Sequence, residues 1–283
     1  MKPRIVAIPA LILLAACGQE TTPGSTASPS PSSSPSTSPS ASGQRYEVWA
    51  TVLEHASHGP QLCSMVLTSM PPQCGGPDVV GWTWSAVEHK SLNGTTWGMY
   101  DLVGTWDGSR FTLTEPAKPS PPGTREVPEG DFLTPDFTSP CRAAAGDREA
   151  VDPSKAGVDD YERALRTAEK DKEFAGGWID TEGGGTVLVM RFTRDLGGHE
   201  REIRRTWGGA LCLTTAARSQ AELRKVREQA VQKVPDLLGA SIDIVDNAVS
   251  IRTYVATDEM QRDMDRRFGA GVVRLYGWLR PAG

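Results

Sequence analysis

From Gly18 to Gln44 the chain has ten Ser and five Pro, a single charged residue, Glu20, and no Val, Ile, Leu or aromatic side chain. A segment with nothing to bury cannot offset the entropy lost on ordering. It therefore predicts a disordered tether and confines the folding information to Arg45 onward. At ~3.1 Å per residue a proline-extended chain from Cys17 to Gln44 reaches on the order of 80 Å, against roughly 30 Å for a coil. The 283 residues allow one or two domains, and 38% hydrophobic content fills ordinary cores.

Residues 1–16 carry Lys2 and Arg4, then an apolar run from Ile5 to Leu14, then two small residues. That is the order of a signal peptide, and the run is well short of the ~20 residues a spanning helix needs. Leu14-Ala15-Ala16-Cys17 resembles the lipobox of bacterial lipoproteins. The resemblance implies cleavage before Cys17 and a diacylglycerol on its sulfur, with the lipid bilayer as partner and the extracellular face of the membrane as location. Two acyl chains anchor stably where one holds only marginally.

Removing Lys2 and Arg4 leaves 28 Lys and Arg against 35 Asp and Glu, a net charge of −7. An acidic ectodomain is a poor nucleic-acid ligand. Beyond Cys17 the cysteines are Cys63, Cys74, Cys141 and Cys212. An even number outside the reducing cytosol predicts two disulfides. Three connectivities are open, of which local order favours Cys63 with Cys74 and Cys141 with Cys212. No pair has the C-x2-C spacing of a zinc knuckle, so no metal or other cofactor is expected.

Residues 45–115 read as a small all-β domain, a barrel or sandwich of five or six strands with an OB-like barrel as one form. The strands are expected at Tyr46–Leu53, Leu62–Thr68, Val79–Trp84, Trp97–Thr105 and Arg110–Thr114. Asn93-Gly94 and Asp107-Gly108 are two-residue hairpin signals. Trp49, Trp82, Trp84, Trp97 and Trp106 fall here, and a small domain needs such side chains for its core rather than for stacking on sugars. A Cys63–Cys74 bond would rigidify a proline-rich loop of the kind that binds ligands on β scaffolds. His55 and His58 lack a third ligand nearby.

Residues 116–149 form a proline-rich linker or arm, with Asp131-Phe132-Leu133 and Asp136-Phe137 as apolar anchors. Residues 150–283 alternate helix and strand signals, giving an α+β domain with an antiparallel sheet and helices on one face. Ser219 to Glu222 is a capping box. Thr257 caps a last helix that Gly269 ends. Overall the class is α+β.

Phe174-Ala175-Gly176-Gly177-Trp178-Ile179-Asp180, with residues 185–193 and 241–255 after it, resembles the prodomains of alpha-lytic-type bacterial serine proteases. Prodomains of that family assist or inhibit the protease that follows them. No protease follows Gly283 in this sequence, so the resemblance implies a fold and a protein-binding surface. The whole layout is similar to lipoproteins of actinobacteria.

Catalytic patterns are scarce. There is no G-x-S-x-G and no P-loop, and the zinc-protease word opened by His199-Glu200 fails at Ile203. The Gly-rich turn at 183–185 lacks a following Lys. The sequence thus predicts a non-enzymatic, lipid-anchored binding or scaffolding module with a protein partner in the envelope. The rival expectation is a wall-directed hydrolase with two carboxylates in an exposed cleft.

Overall fold

The computed structural model describes residues 43–120, 135–141, 149–182 and 185–283. The signal peptide, Cys17, the tether up to Ser42 and the anchor at 131–133 lie outside the described residues.

The chain begins with β1 (Arg45–His55), β2 (His58–Cys63), β3 (Asp78–Val80), β4 (Lys90–Leu92), β5 (Thr95–Trp106), β6 (Arg110–Leu113) and β7 (Lys118–Pro119). β1 pairs with β5 along its whole length and with β2 along its second half. β2 pairs with β3, β3 runs parallel to β6, and β6 pairs back onto β5. Val48, Ala50 and Val52 alternate inward from β1. They meet Leu62, Val79, Tyr100, Leu102 and Phe111 in the first core.

Turn chemistry sets two of these pairings differently. Asn93 and Gly94 both have positive φ and join Leu92 to Thr95 as a two-residue turn. At Asp107-Gly108 only Gly108 is left-handed, and Trp106 pairs with Phe111 across four residues. The Asp107 carboxylate is the reason: it accepts from Ser109 N at 2.8 Å and Arg110 N at 2.7 Å, which builds a wider side-chain-capped turn.

Two expected strands are corrected: the one at Leu62–Thr68 overlaps β2 only at Leu62 and Cys63, since β2 starts at His58, and the one at Val79–Trp84 shrinks to β3. β2 stops at Cys63, where the disulfide loop leaves the sheet, and Trp84–Ala86 is a single 3-10 turn rather than the end of a strand.

The rest of the chain comprises α1 (Val158–Ala168), β8 (Phe174–Asp180), β9 (Val187–Phe192), α2 (Leu196–Ile203), β10 (Ala210–Thr215), α3 (Gln220–Ala230), β11 (Leu237–Asp243), β12 (Ala248–Thr253), α4 (Asp258–Phe268), β13 (Val273–Gly277) and β14 (Arg280–Pro281). The expected antiparallel sheet is corrected here. There are two three-stranded sheets, β10-β9-β8 and β11-β12-β13, each with one antiparallel and one parallel pair. The reason is a helix in the connection: α2 carries the chain from β9 to β10 and α4 from β12 to β13, so each third strand enters in the same direction as the second.

The two sheets belong to one repeated unit, α-β-β-α-β. The repeat extends to detail. Each first strand has its register shift at the same place, Phe174/Gly176 in one and Leu237/Gly239 in the other. Asp180 and Asp243 each end the first strand and accept the backbone N–H two residues on, Glu182 at 2.8 Å and Val245 at 3.0 Å. Gly176, Ile179, Asp180 and Arg191 correspond by register to Gly239, Ile242, Asp243 and Arg252. Each unit packs its helices on one sheet face, around Leu188, Met190 and Trp207 in the first and Val249, Ile251 and Met264 in the second.

The end of the chain returns to its beginning. β14 pairs with β1 through Tyr46↔Pro281 and Glu47↔Arg280. Leu279 is buried in the first core, and Trp106 stacks on Tyr254 at 4.8 Å.

Candidate functional site

The loop from Ser64 to Pro77 is the most unusual surface of the molecule. From Ala56 to Pro77 there is no Asp, Glu, Lys or Arg, in a chain that is 23% charged. The disulfide Cys63–Cys74 closes the loop, with Cα atoms 5.8 Å apart. Leu67 N donates to Gln73 O at 2.9 Å inside it, and Leu62 N donates to Pro77 O at 2.8 Å at its base. Gly76 lies so close to β2 that a Cβ there would collide with the Leu62 carbonyl. Pro72 is buried, and Ser69 Oγ donates to Pro71 O at 2.9 Å.

This rigid base turns its apolar side chains outward. Met65 is 73% exposed, Leu67 58% and Met70 76%. The other large exposed hydrophobics are scattered singly, which is ordinary; three from one uncharged loop are not.

The five tryptophans of the first region are all half-buried. Trp82 lies edge-on to Tyr100 at 4.8 Å and to Trp84 at 5.1 Å, and the Trp84 indole N–H donates to Glu54. Trp49 Nε1 donates to Ser120 O at 3.2 Å. Trp82, Trp84 and Trp106 pack against the first core instead of forming an open stacking platform. Tyr100 is fully buried, its hydroxyl donates to Glu88 O at 2.7 Å, and burial pushes its pKa up to about 12.

Cys141 and Cys212 form the second disulfide. The arm before Cys141 docks by its backbone: the Trp178 indole donates to Phe137 O at 2.8 Å, and Ser139 N donates to Asp180 Oδ2 at 3.0 Å. The Phe137 ring itself is 44% exposed, so the anchor expected from its side chain is made by its carbonyl.

His55 and His58 face each other across the β1–β2 turn with ring centres 5.9 Å apart, each tied to a local partner, Ser57 and Gly59. His199 stacks on Phe192 at 3.8 Å and points its two nitrogens at Glu173 (3.3 Å) and Asp171 (3.8 Å). The three could offer donor atoms within 4.8 Å of one another. Arg194 Nε already holds Glu173 at 2.5 Å, and that hydrogen bond keeps the Glu173 carboxyl below its usual range. The group reads as a polar network, with Arg194–Glu173 as its ion pair, joining α2 to the turn before β8. It was illegible in sequence because its acids lie 26 and 28 residues before the histidine.

An open groove of about 410 Å³ runs beside β1, β5 and β7, with Glu47, Asp101, Glu115 and Lys118 on its walls. Glu115 is ion-paired with Arg45. Among the described residues, no helix is long and apolar enough to cross a membrane. No known protein family matches the chain, and neither does any curated protein sequence.

Proposed function

We propose that the chain is a membrane-anchored surface lipoprotein, held by acylated Cys17, whose folded part is a non-catalytic binding module for a protein partner in the envelope. The observation that carries this is the uncharged, disulfide-closed loop presenting Met65, Leu67 and Met70. A contact patch of this kind costs little entropy to use, because its backbone is already fixed. Methionine and leucine on a rigid loop suit an apolar recess on another protein.

The fold reading that goes with it is an OB-like first domain at 45–115 and an α+β second domain at 150–283, joined by the arm at 116–149. What supports the OB-like form is the strand order β1-β2-β3-β6-β5 with β3 parallel to β6. The prodomain resemblance makes the duplicated half a second candidate surface.

The test places a photo-crosslinking residue at Leu67, or at exposed Glu228 on α3 as control, in cells displaying the full chain. Capture of one dominant envelope protein from position 67 alone, lost when Met65→Ser/Met70→Ser is added, is the expected result. Equal labelling from both positions overturns the loop as the contact. Truncation at Pro140 would remove Leu279 from the first core and β14 from β1.

The hydrolase reading draws on the acidic groove. Under it, Glu47→Gln or Asp101→Asn abolishes release of soluble wall fragments by the purified chain. Under the binding module, purified chain releases none.

A further inference from the structure

We propose that Met65 and Met70 form a paired oxidation site, at which peroxide-class oxidants convert both thioethers to sulfoxides and turn the apolar loop polar. The modification rests on the loop's geometry alone. Its consequence for binding rests on the reading given under Proposed function.

Access separates these two methionines from the other four among the described residues. Met65 and Met70 are 73% and 76% exposed, Met190 and Met264 are 0% and 2% exposed, and Met99 and Met260 are half-buried. The two exposed thioethers lie five residues apart in the same loop, whose path is fixed by Cys63–Cys74 and by the Leu67–Gln73 bridge.

Competition points the same way. Thiolates are the protein groups that react first with peroxide. All four cysteines among the described residues are in disulfides, so they offer no thiol. Exposed thioethers are then the most readily oxidised side chains on this surface, in a protein whose disulfides mark an oxidising compartment.

The step balances with one hydrogen peroxide per methionine. A sulfur lone pair attacks one peroxide oxygen, an S–O bond forms, and the O–O bond breaks. The proton on the transferred oxygen passes to the departing hydroxide, which leaves as water. Sulfur loses two electrons and the peroxide gains them. Methionine becomes a polar sulfoxide, and two of the loop's three exposed apolar side chains lose their apolar character.

The experiment uses the full chain carrying Cys17→Ser, so that no acyl group contributes to retention. Peroxide titration followed by digestion and mass spectrometry gives a rate for each methionine. Met65 and Met70 are expected to convert at least tenfold faster than Met190 and Met264, and ahead of Met99 and Met260. Similar rates at all six overturn the site.

Retention on phenyl-agarose, used as the apolar probe, should fall at least twofold after peroxide. In Met65→Leu/Met70→Leu it should stay unchanged. Equal loss in both proteins, or selective sulfoxidation with no change in retention, overturns the polarity change. Failure of Met65→Ser/Met70→Ser to lose the crosslink from position 67 would sink the binding reading alone and leave the oxidation rates standing.

Discussion

The two α-β-β-α-β units share their wiring and differ in what covers the second face of the sheet. In the first unit the central cross-strand row on that face is Trp178, Val189 and Cys212. In the second the matching row is Ser241, Ser250 and Arg274. The first row is apolar because it is roofed: Ile244 and Val245, from the turn of the second unit's hairpin, pack on Trp178, Val187, Val189, Ala210 and Cys212. Arg191 completes the roof by donating to the carbonyls of Ile244, Val245 and Thr215. Its counterpart Arg252 sits instead over the Trp278 ring, 5.7 Å from its centre. One set of pairings thus accepts either chemistry on its outer face, and the partner of that face selects the residues.

The covalent tie is where breaking the comparison costs most. Only the first unit is cross-linked, through Cys141–Cys212, which closes a span of 71 residues. In Cys141→Ser the chain-entropy argument gives a loss of about 4 kcal/mol, against about 3 kcal/mol for Cys74→Ser and its span of 11. Urea midpoints of the two variants check the order. A smaller loss in Cys141→Ser would mean that the arm is held mainly by its backbone hydrogen bonds.

Next in size is the pair of matched arginines. Arg191→Met leaves three carbonyls without their charged donor and is expected to cost about 2–3 kcal/mol. Arg252→Met, which gives up the cation–π contact with Trp278, should cost less than Arg191→Met. Equal costs would show that the second face is roofed as firmly as the first.

The helix starts offer a finer contrast. α3 has a complete capping box: Ser219 Oγ accepts from Glu222 N at 3.3 Å, and Glu222 accepts from Ser219 N at 2.7 Å. α1 has half of one, with Asp160 accepting from Gly157 N at 3.1 Å. Ser219→Ala should cost about 1 kcal/mol, and Gly157→Ser should add a few tenths. Thermal unfolding of both variants would level or widen the difference between the units.

The smallest effect concerns the turn aspartates. Asp107 does on the first sheet what Asp180 and Asp243 do in the repeat, but at the surface. Hydrogen bonds from Ser109 N, then Arg110 N and Ser109 Oγ, lower its pKa from an ordinary 3.8 to about 2. A folded pKa below the unfolded one stabilises above the unfolded value and is lost as pH falls through the folded value. The stability gap between wild type and Asp107→Ala should therefore be full above pH ~4 and shrink toward pH ~2. A gap that stays constant over that window would mean the charge contributes nothing.

Much of this architecture was legible in the residues. Ser219, Thr257 and Gly269 mark helix ends where they stand, because caps act within one turn of chain. The pairing of Cys63 with Cys74 and of Cys141 with Cys212 agrees with the local order of the cysteines. The repeat also had a trace, Gly-x-x-Ile-Asp at 176–180 and again at 239–243, followed by Arg191 and Arg252. The trace is faint because the shared residues are few, and the stretches between them differ with the surface each unit covers.

By itself the sequence determined the α+β class, the number of disulfides, the helix caps and the uncharged stretch from Ala56 to Pro77, since each depends on residue type or on spacing along the chain. Only the tertiary structure decided the rest: the parallel third strand in each unit, the return of Leu279 and β14 to the first core, the roof over Trp178, and the outward turn of Met65, Leu67 and Met70. Those features arise from contacts between residues distant in sequence. In such contacts an apolar side chain is buried or exposed according to what the rest of the chain lays over it.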